Sequence, residues 1–177
     1  RDLPVDSLCK TTRFTDVIER LKYASDNQQF AVLTGDIGTG KSTALRALKE
    51  TLDPEKYVVL YVSENNLTPR LLYGIPLNML GYKPRPYAKD SRKMFQNAIQ
   101  AEVTLRHKKV VLIVDEAHLV CANKRYETLQ EIRFLLNNNC DSDNNIALIL
   151  AGQNELWDLL GVEKYRAITQ RINFVCK

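Results

Sequence analysis

The sequence predicts an α/β fold, with a parallel sheet covered by helices on both faces. Three observations predict it. Short runs of Val, Ile and Leu recur along the chain with almost no polar interruption, as strands buried on both faces require. Most of these runs lead into a segment whose apolar residues recur at the spacing of one helix face. Runs and helical segments alternate, and that alternation makes parallel neighbours joined by crossovers.

Phe30-Ala31-Val32-Leu33-Thr34 reads as the first strand. Lys41 to Leu52 reads as a helix with Ala44, Leu45, Leu48 and Leu52 on one face. Asp53-Pro54 ends it, because proline disfavours helical backbone in the residue before it. Tyr57 to Val62, β-branched and aromatic, is the second strand. Thr68-Pro69 starts a helix, with a capping hydroxyl and then proline at the first helical position. That helix runs to about Leu80 and stops at Gly81. Lys83-Pro84-Arg85-Pro86 is a stiff basic loop. Asp90 or Ser91 caps the next helix, whose apolar face is Met94, Ala98, Ile99 and Val103. Val110 to Val114 is the third strand. Tyr126 to Asn137 is a helix with Leu129, Ile132, Leu135 and Leu136 inward. Ile146 to Ala151 is the fourth strand, and Asn154 to Leu160 a short helix whose Trp157 packs against the sheet. Ile172 to Cys176 is the fifth strand.

Composition narrows the class. The 177 residues are 45% hydrophobic and 26% charged, ordinary values for a globular protein of one domain. Seven Gly and six Pro exclude collagen-like and low-complexity chains. The longest apolar stretch, Ile146 to Gly152, is far short of the ~18 residues of a membrane span. A net charge of +4 permits nucleic-acid contact without arguing for it. Cys9, Cys121, Cys140 and Cys176 form no CxxC pair, and His107 and His118 complete no zinc spacing. Reduced thiols in a cytoplasmic protein are the expectation. No signal peptide opens the chain, and Arg1 is not a natural start.

The chemistry gathers at strand ends, where such sheets bind ligands. Gly35-Asp36-Ile37-Gly38-Thr39-Gly40-Lys41-Ser42 fits G-x-x-x-x-G-K-[ST], directly after a strand and before a helix. A loop that wraps a polyphosphate with backbone N–H groups must keep side chains out of the way, which Gly35, Gly38 and Gly40 do. The helix behind it aims its N-terminal dipole at the phosphates. Lys41 is expected to reach the β- and γ-phosphates of ATP, Ser42 to offer a hydroxyl to Mg²⁺, and Thr43 to contact the α-phosphate region. The third strand ends in Asp115-Glu116. Asp115 is expected to hold Mg²⁺ and Glu116 to polarise the attacking water. His118 completes Asp-Glu-Ala-His, letters shared with a helicase class that needs two motor domains; a partly buried histidine touching the strand ends is expected instead. Gln153 is expected to face the γ-phosphate, with Asn154 capping the helix behind it. Arg166 and Arg171 flank the start of the last strand, and either could stabilise transition-state charge in a neighbour's site. Lys83, Arg85, Lys89, Arg92 and Lys93 form a basic cluster open to DNA phosphates or to solvent.

GDIGTGKST (Gly35 to Thr43), VVLIVDEAHL (Val110 to Leu119), EIRFLLN (Glu131 to Asn137) and ALILAGQNELWD (Ala147 to Asp158) together resemble the AAA+ ATPases of the ExeA/TniB type, over roughly residues 8 to 177. The resemblance implies a P-loop NTPase fold with a five-stranded parallel sheet in the order 5-1-4-3-2. It implies a sensor role for Gln153 and a trans-acting finger at Arg171. It implies that residues around Leu8 to Leu21, in an extension over 1–29, help form the adenine pocket. Such proteins act as homo-oligomeric rings or filaments. One branch helps a transposase on duplex DNA; another serves secretion. AAA+ proteins follow the fifth strand with a helical lid, and this chain stops at Lys177 before one. Residues 1–177 are therefore read as a single nucleotide-binding core domain, a fragment.

Three functions compete. A DNA-associated transposition helper is favoured by the basic loop. A secretion-type ATPase would add a membrane span elsewhere, since no membrane contact comes from this domain. A non-hydrolysing scaffold is opposed by Glu116. Small-molecule kinases lack their Arg-rich lid here, and transporter ATPases their Ser-Gly-Gly-Gln signature.

Overall fold

The computed structural model describes residues 12–122, 126–137 and 145–177. Cys9, Cys140 and the start of the Leu8 to Leu21 segment lie outside them. The elements, in order, are α1 (Thr12–Asp26), β1 (Phe30–Thr34), α2 (Lys41–Thr51), β2 (Tyr57–Ser63), α3 (Pro69–Met79), α4 (Ala88–Thr104), β3 (Lys109–Asp115), α5 (Ala117–Ala122), α6 (Tyr126–Asn137), β4 (Ile146–Gly152), α7 (Glu155–Leu160), a 3₁₀ turn (Glu163–Tyr165), α8 (Arg166–Thr169) and β5 (Phe174–Cys176).

All strand pairs are parallel, and the sheet order is β2-β3-β4-β1-β5. This is the expected 5-1-4-3-2 order read from the other edge. Both faces are buried. Phe30, Val32, Val110, Leu112, Val114, Ile146, Leu148 and Leu150 join one apolar cluster with residues of α3 to α8. Their alternates Ala31, Leu33, Val111, Ile113, Ala147, Ile149 and Ala151 join a second with Leu21 and Ala24 of α1 and Leu45 and Leu48 of α2. Period-two alternation with two apolar sets is why the strand sequences read as continuous runs.

The expected elements stand where the apolar patterns put them, with differences at the α4 cap and β5 and with added elements, among them the 3₁₀ turn Glu163–Tyr165 and α8. Neither Asp90 nor Ser91 caps α4; the helix starts at Ala88, behind Tyr87 in extended backbone. The Ser91 hydroxyl is buried and is used elsewhere, accepting from Arg85 N at 3.1 Å and donating to Arg85 O at 3.0 Å. The fifth strand shortens to Phe174–Cys176, because Asn173 pairs with Phe30 through both backbone and side chain before the ladder begins. Helices α1 and α5, not identified from the sequence, are added.

Candidate functional site

The carboxyl ends of β1, β3 and β4 deliver three loops to one end of the parallel sheet. The loop after β1 is the glycine-rich one. Gly38 and Gly40 adopt φ of +82° and +88°, backbone that a side chain strains. A Cβ on Gly35 would lie 2.7 Å from Thr39 Oγ1. No side chain caps α2, whose N-cap is Gly40, so its first turn can serve a ligand instead. Lys41 Nζ folds back and donates to Gly35 O and Asp36 O, both at 2.8 Å. Thr39 Oγ1 donates to the same Asp36 carbonyl at 2.8 Å.

Asp115 ends β3 as a buried carboxylate. Its Oδ2 accepts from Ser42 Oγ at 3.2 Å and from Tyr61 OH at 2.5 Å, and its Oδ1 accepts from Glu116 N at 2.9 Å. Burial, reinforced by the hydrogen bond to Asp115, pushes the Tyr61 hydroxyl well above its ordinary value, so it stays a donor. Tyr61 was not identified from the sequence. The strand register supplies it: Ser63 pairs with Asp115, so Tyr61, two residues earlier, lies on the same face.

Glu116 takes a left-handed φ of +54°. Its side chain lines a cleft of about 290 Å³ together with Ile37, Lys41, Ser42, Thr43 and Gln153. His118 is buried, as expected, and sits between the strand ends. Its Nδ1 accepts from Gln153 N at 3.4 Å and lies 3.4 Å from Glu116 Oε2. A Cβ on Gly152 would lie 3.1 Å from His118 N, so glycine there lets α5 come this close.

Asn154 corrects an expectation. It makes no capping hydrogen bond to α7, and at φ −57°, ψ −31° it is already helical. Its Nδ2 donates to Asp36 Oδ1 at 2.6 Å instead. A second cavity of about 640 Å³ opens on the other side of the phosphate loop, where Arg13, Phe14 and Val17 of α1 face Thr34, Gly35 and Thr43. Arg166 and Arg171 line neither space; Arg171 is exposed and its guanidinium donates to Ala167 O at 2.9 Å. In the basic cluster Lys83, Arg85, Lys89 and Lys93 are exposed, whereas Arg92 turns inward, 3.2 Å from Glu131 and over the Phe134 ring. No helix among the described residues is long and apolar enough to cross a membrane.

Residues 24–160 match the AAA domain family. Over 171 residues the chain is 28% identical to general secretion pathway protein A of Aeromonas hydrophila, covering 93% of this chain and 30% of that protein. Among solved structures, the Aeropyrum pernix ORC2 protein aligns with a TM-score of 0.72 at 17% identity, covering 94% of this chain and 48% of that one. Cdc6p of Pyrobaculum aerophilum aligns with a TM-score of 0.62 at 15% identity, covering 94% and 46%. The chain thus spans less than half the length of each of these three proteins. The two structural likenesses are likenesses of fold.

Proposed function

The chain belongs to the AAA domain family, and from that premise we propose that it binds ATP with Mg²⁺ and hydrolyses it. The observation that carries this reading is one cleft shared by Lys41, Ser42, Glu116 and Gln153, with Asp115 hydrogen-bonded to Ser42 behind it. Gly35, Asp36, Ile37, Gly38, Thr39 and Gly40 supply the backbone cradle for the phosphates. Lys41 neutralises the β- and γ-phosphates, and Thr43 serves the α-phosphate. Residues of α1, within the segment 1–29, help take the adenine in the larger cavity. Ser42 and Asp115 are hard oxygen donors already in contact, which suits Mg²⁺, a cation that draws most of its ligands from phosphates and water. Bound Mg²⁺ would neutralise charge on the phosphates.

The reaction is in-line attack of water on the γ-phosphate, giving ADP and phosphate. The Glu116 carboxylate accepts a hydrogen bond from that water and orients it. Gln153 faces the transferring group. Arg171 of a neighbouring copy adds positive charge, so the active form is a homo-oligomer, a ring or filament. The test uses the full-length protein. Lys41→Ala abolishes tight ATP binding; retained binding would sink the phosphate-loop assignment. Glu116→Gln keeps binding and slows turnover about 10²–10⁴-fold; turnover at the unmodified rate would remove Glu116 from the mechanism.

The similarity to a secretion pathway protein supports a secretion-type role. A second reading, a cytoplasmic helper of a transposase on duplex DNA, is supported by the exposed basic residues Lys83, Arg85, Lys89 and Lys93 alone. ATP turnover with and without duplex DNA separates the two. Stimulation that fades as salt rises favours the DNA reading; indifference to DNA favours secretion.

A further inference from the structure

We propose that Asn154 is a positioning residue for nucleotide binding, which holds the Asp36 carboxylate away from the phosphates. The inference rests on the ATP-binding reading above. A loop that must accept a polyphosphate is a poor place for an acid, because like charges close together repel. Asp36 nevertheless occupies the second position of that loop. Its side chain lines neither cavity, although Gly35 before it lines one and Ile37 after it lines the other.

The two ends of Asp36 do opposite things. Its backbone carbonyl faces Lys41 Nζ and Thr39 Oγ1. Its carboxylate accepts from Asn154 Nδ2 at 2.6 Å, a close contact for an amide N–H donor. Asn154 is the residue after Gln153, so the same bond fastens the phosphate loop to the segment that carries Gln153. An amide suits the task. It donates to the carboxylate without adding a cation that would compete with Lys41 for phosphate. The capping role that asparagine usually fills before a helix is left unused, since no such bond is made.

The test is a double-mutant cycle on nucleotide affinity in the full-length protein, read by titration with ATP and with ADP. Asn154→Ala weakens ATP binding about 3- to 10-fold, the fold-change equivalent to one hydrogen bond's net worth. It weakens ADP binding less, because ADP carries less charge. Asp36→Asn binds ATP more tightly than the unmodified protein. In the Asp36→Asn background, Asn154→Ala changes nothing, since no charge is left to release. Asn154→Asp, which sets two carboxylates against each other, weakens ATP more than Asn154→Ala. Unmodified affinity in Asn154→Ala overturns the inference. So does a loss that persists in the Asp36→Asn background, which would mark a mere tether. Lys41→Ala is the control for the underlying reading. If it loses ATP while Asn154→Ala does not, the role of Asn154 falls alone; if it binds ATP normally, the nucleotide reading itself falls.

Discussion

Among the described residues, Tyr57 donates its hydroxyl to Asp26, Tyr61 to Asp115 and Tyr73 to Glu131, all carboxylates. Burial first, and the carboxylate second, keeps the proton on each ring, and Tyr57 is pushed up to about 12. The unfolded chain releases that proton near pH 10. Above pH 10 the unfolded state therefore binds fewer protons than the folded one, and stability falls as pH rises. The contribution of Tyr57 is whole below pH 10 and is lost between pH 10 and about 12. Denaturant unfolding across that range should show the decline, and Tyr57→Phe should shrink it; an identical decline in Tyr57→Phe would refute the role. In an absorbance titration of the folded protein, these three should ionise well above pH 10.

The loop between α3 and α4 shows how an element is held by a buried side chain rather than by its own sequence preference. Pro84 packs against Gly74 of α3, and the buried Ser91 hydroxyl bonds both the N–H and the carbonyl of Arg85. Ser91→Ala should cost about 1 kcal/mol and speed hydrogen exchange at the Arg85 amide; unchanged exchange would show that the prolines alone hold the loop. The capping role expected for Asp90 or Ser91 failed for this reason. A hydroxyl near a helix start looks the same in sequence whether it serves its own helix or the preceding loop. Helix α5 was illegible for another reason: six residues, Ala117–Ala122, are too few to show a period. Helix α1 is mostly polar, with Leu21, Ala24 and Ser25 its buried residues. The central strands were legible because burial on both faces fills their middles with Val, Ile, Leu and Ala. The glycine-rich loop was legible because its motif fixes Gly35, Gly40, Lys41 and Ser42 between a strand and a helix. The contacts Tyr61 to Asp115 and Asn154 to Asp36 span 54 and 118 positions. They exist only once the strand order brings β2 beside β3 and β4 beside β1.

At the scale of the molecule the proposed site has one piece outside its own cleft. Arg171 is exposed and bonded to Ala167 O, so its proposed partner is the cleft of a second copy. Arg171→Ala and Lys41→Ala should each be inactive alone and should recover activity when mixed, because one supplies an intact cleft and the other an intact finger. A mixture that stays inactive would remove Arg171 from the trans role.

The sheet order has a consequence for time. Strands β1, β3 and β4 each have a strand on both sides, whereas β2 and β5 are edges. The phosphate loop hangs from β1, Asp115 and Glu116 from β3, and Gln153 from β4. Local opening starts where neighbours are fewest. The loops of the cleft therefore hang from the strands expected to open last. The segment of Arg171 leads directly into the short edge strand β5 and is expected to open sooner. In the proposed assembly, the contact made through Arg171 is therefore expected to open more often than the cleft it serves.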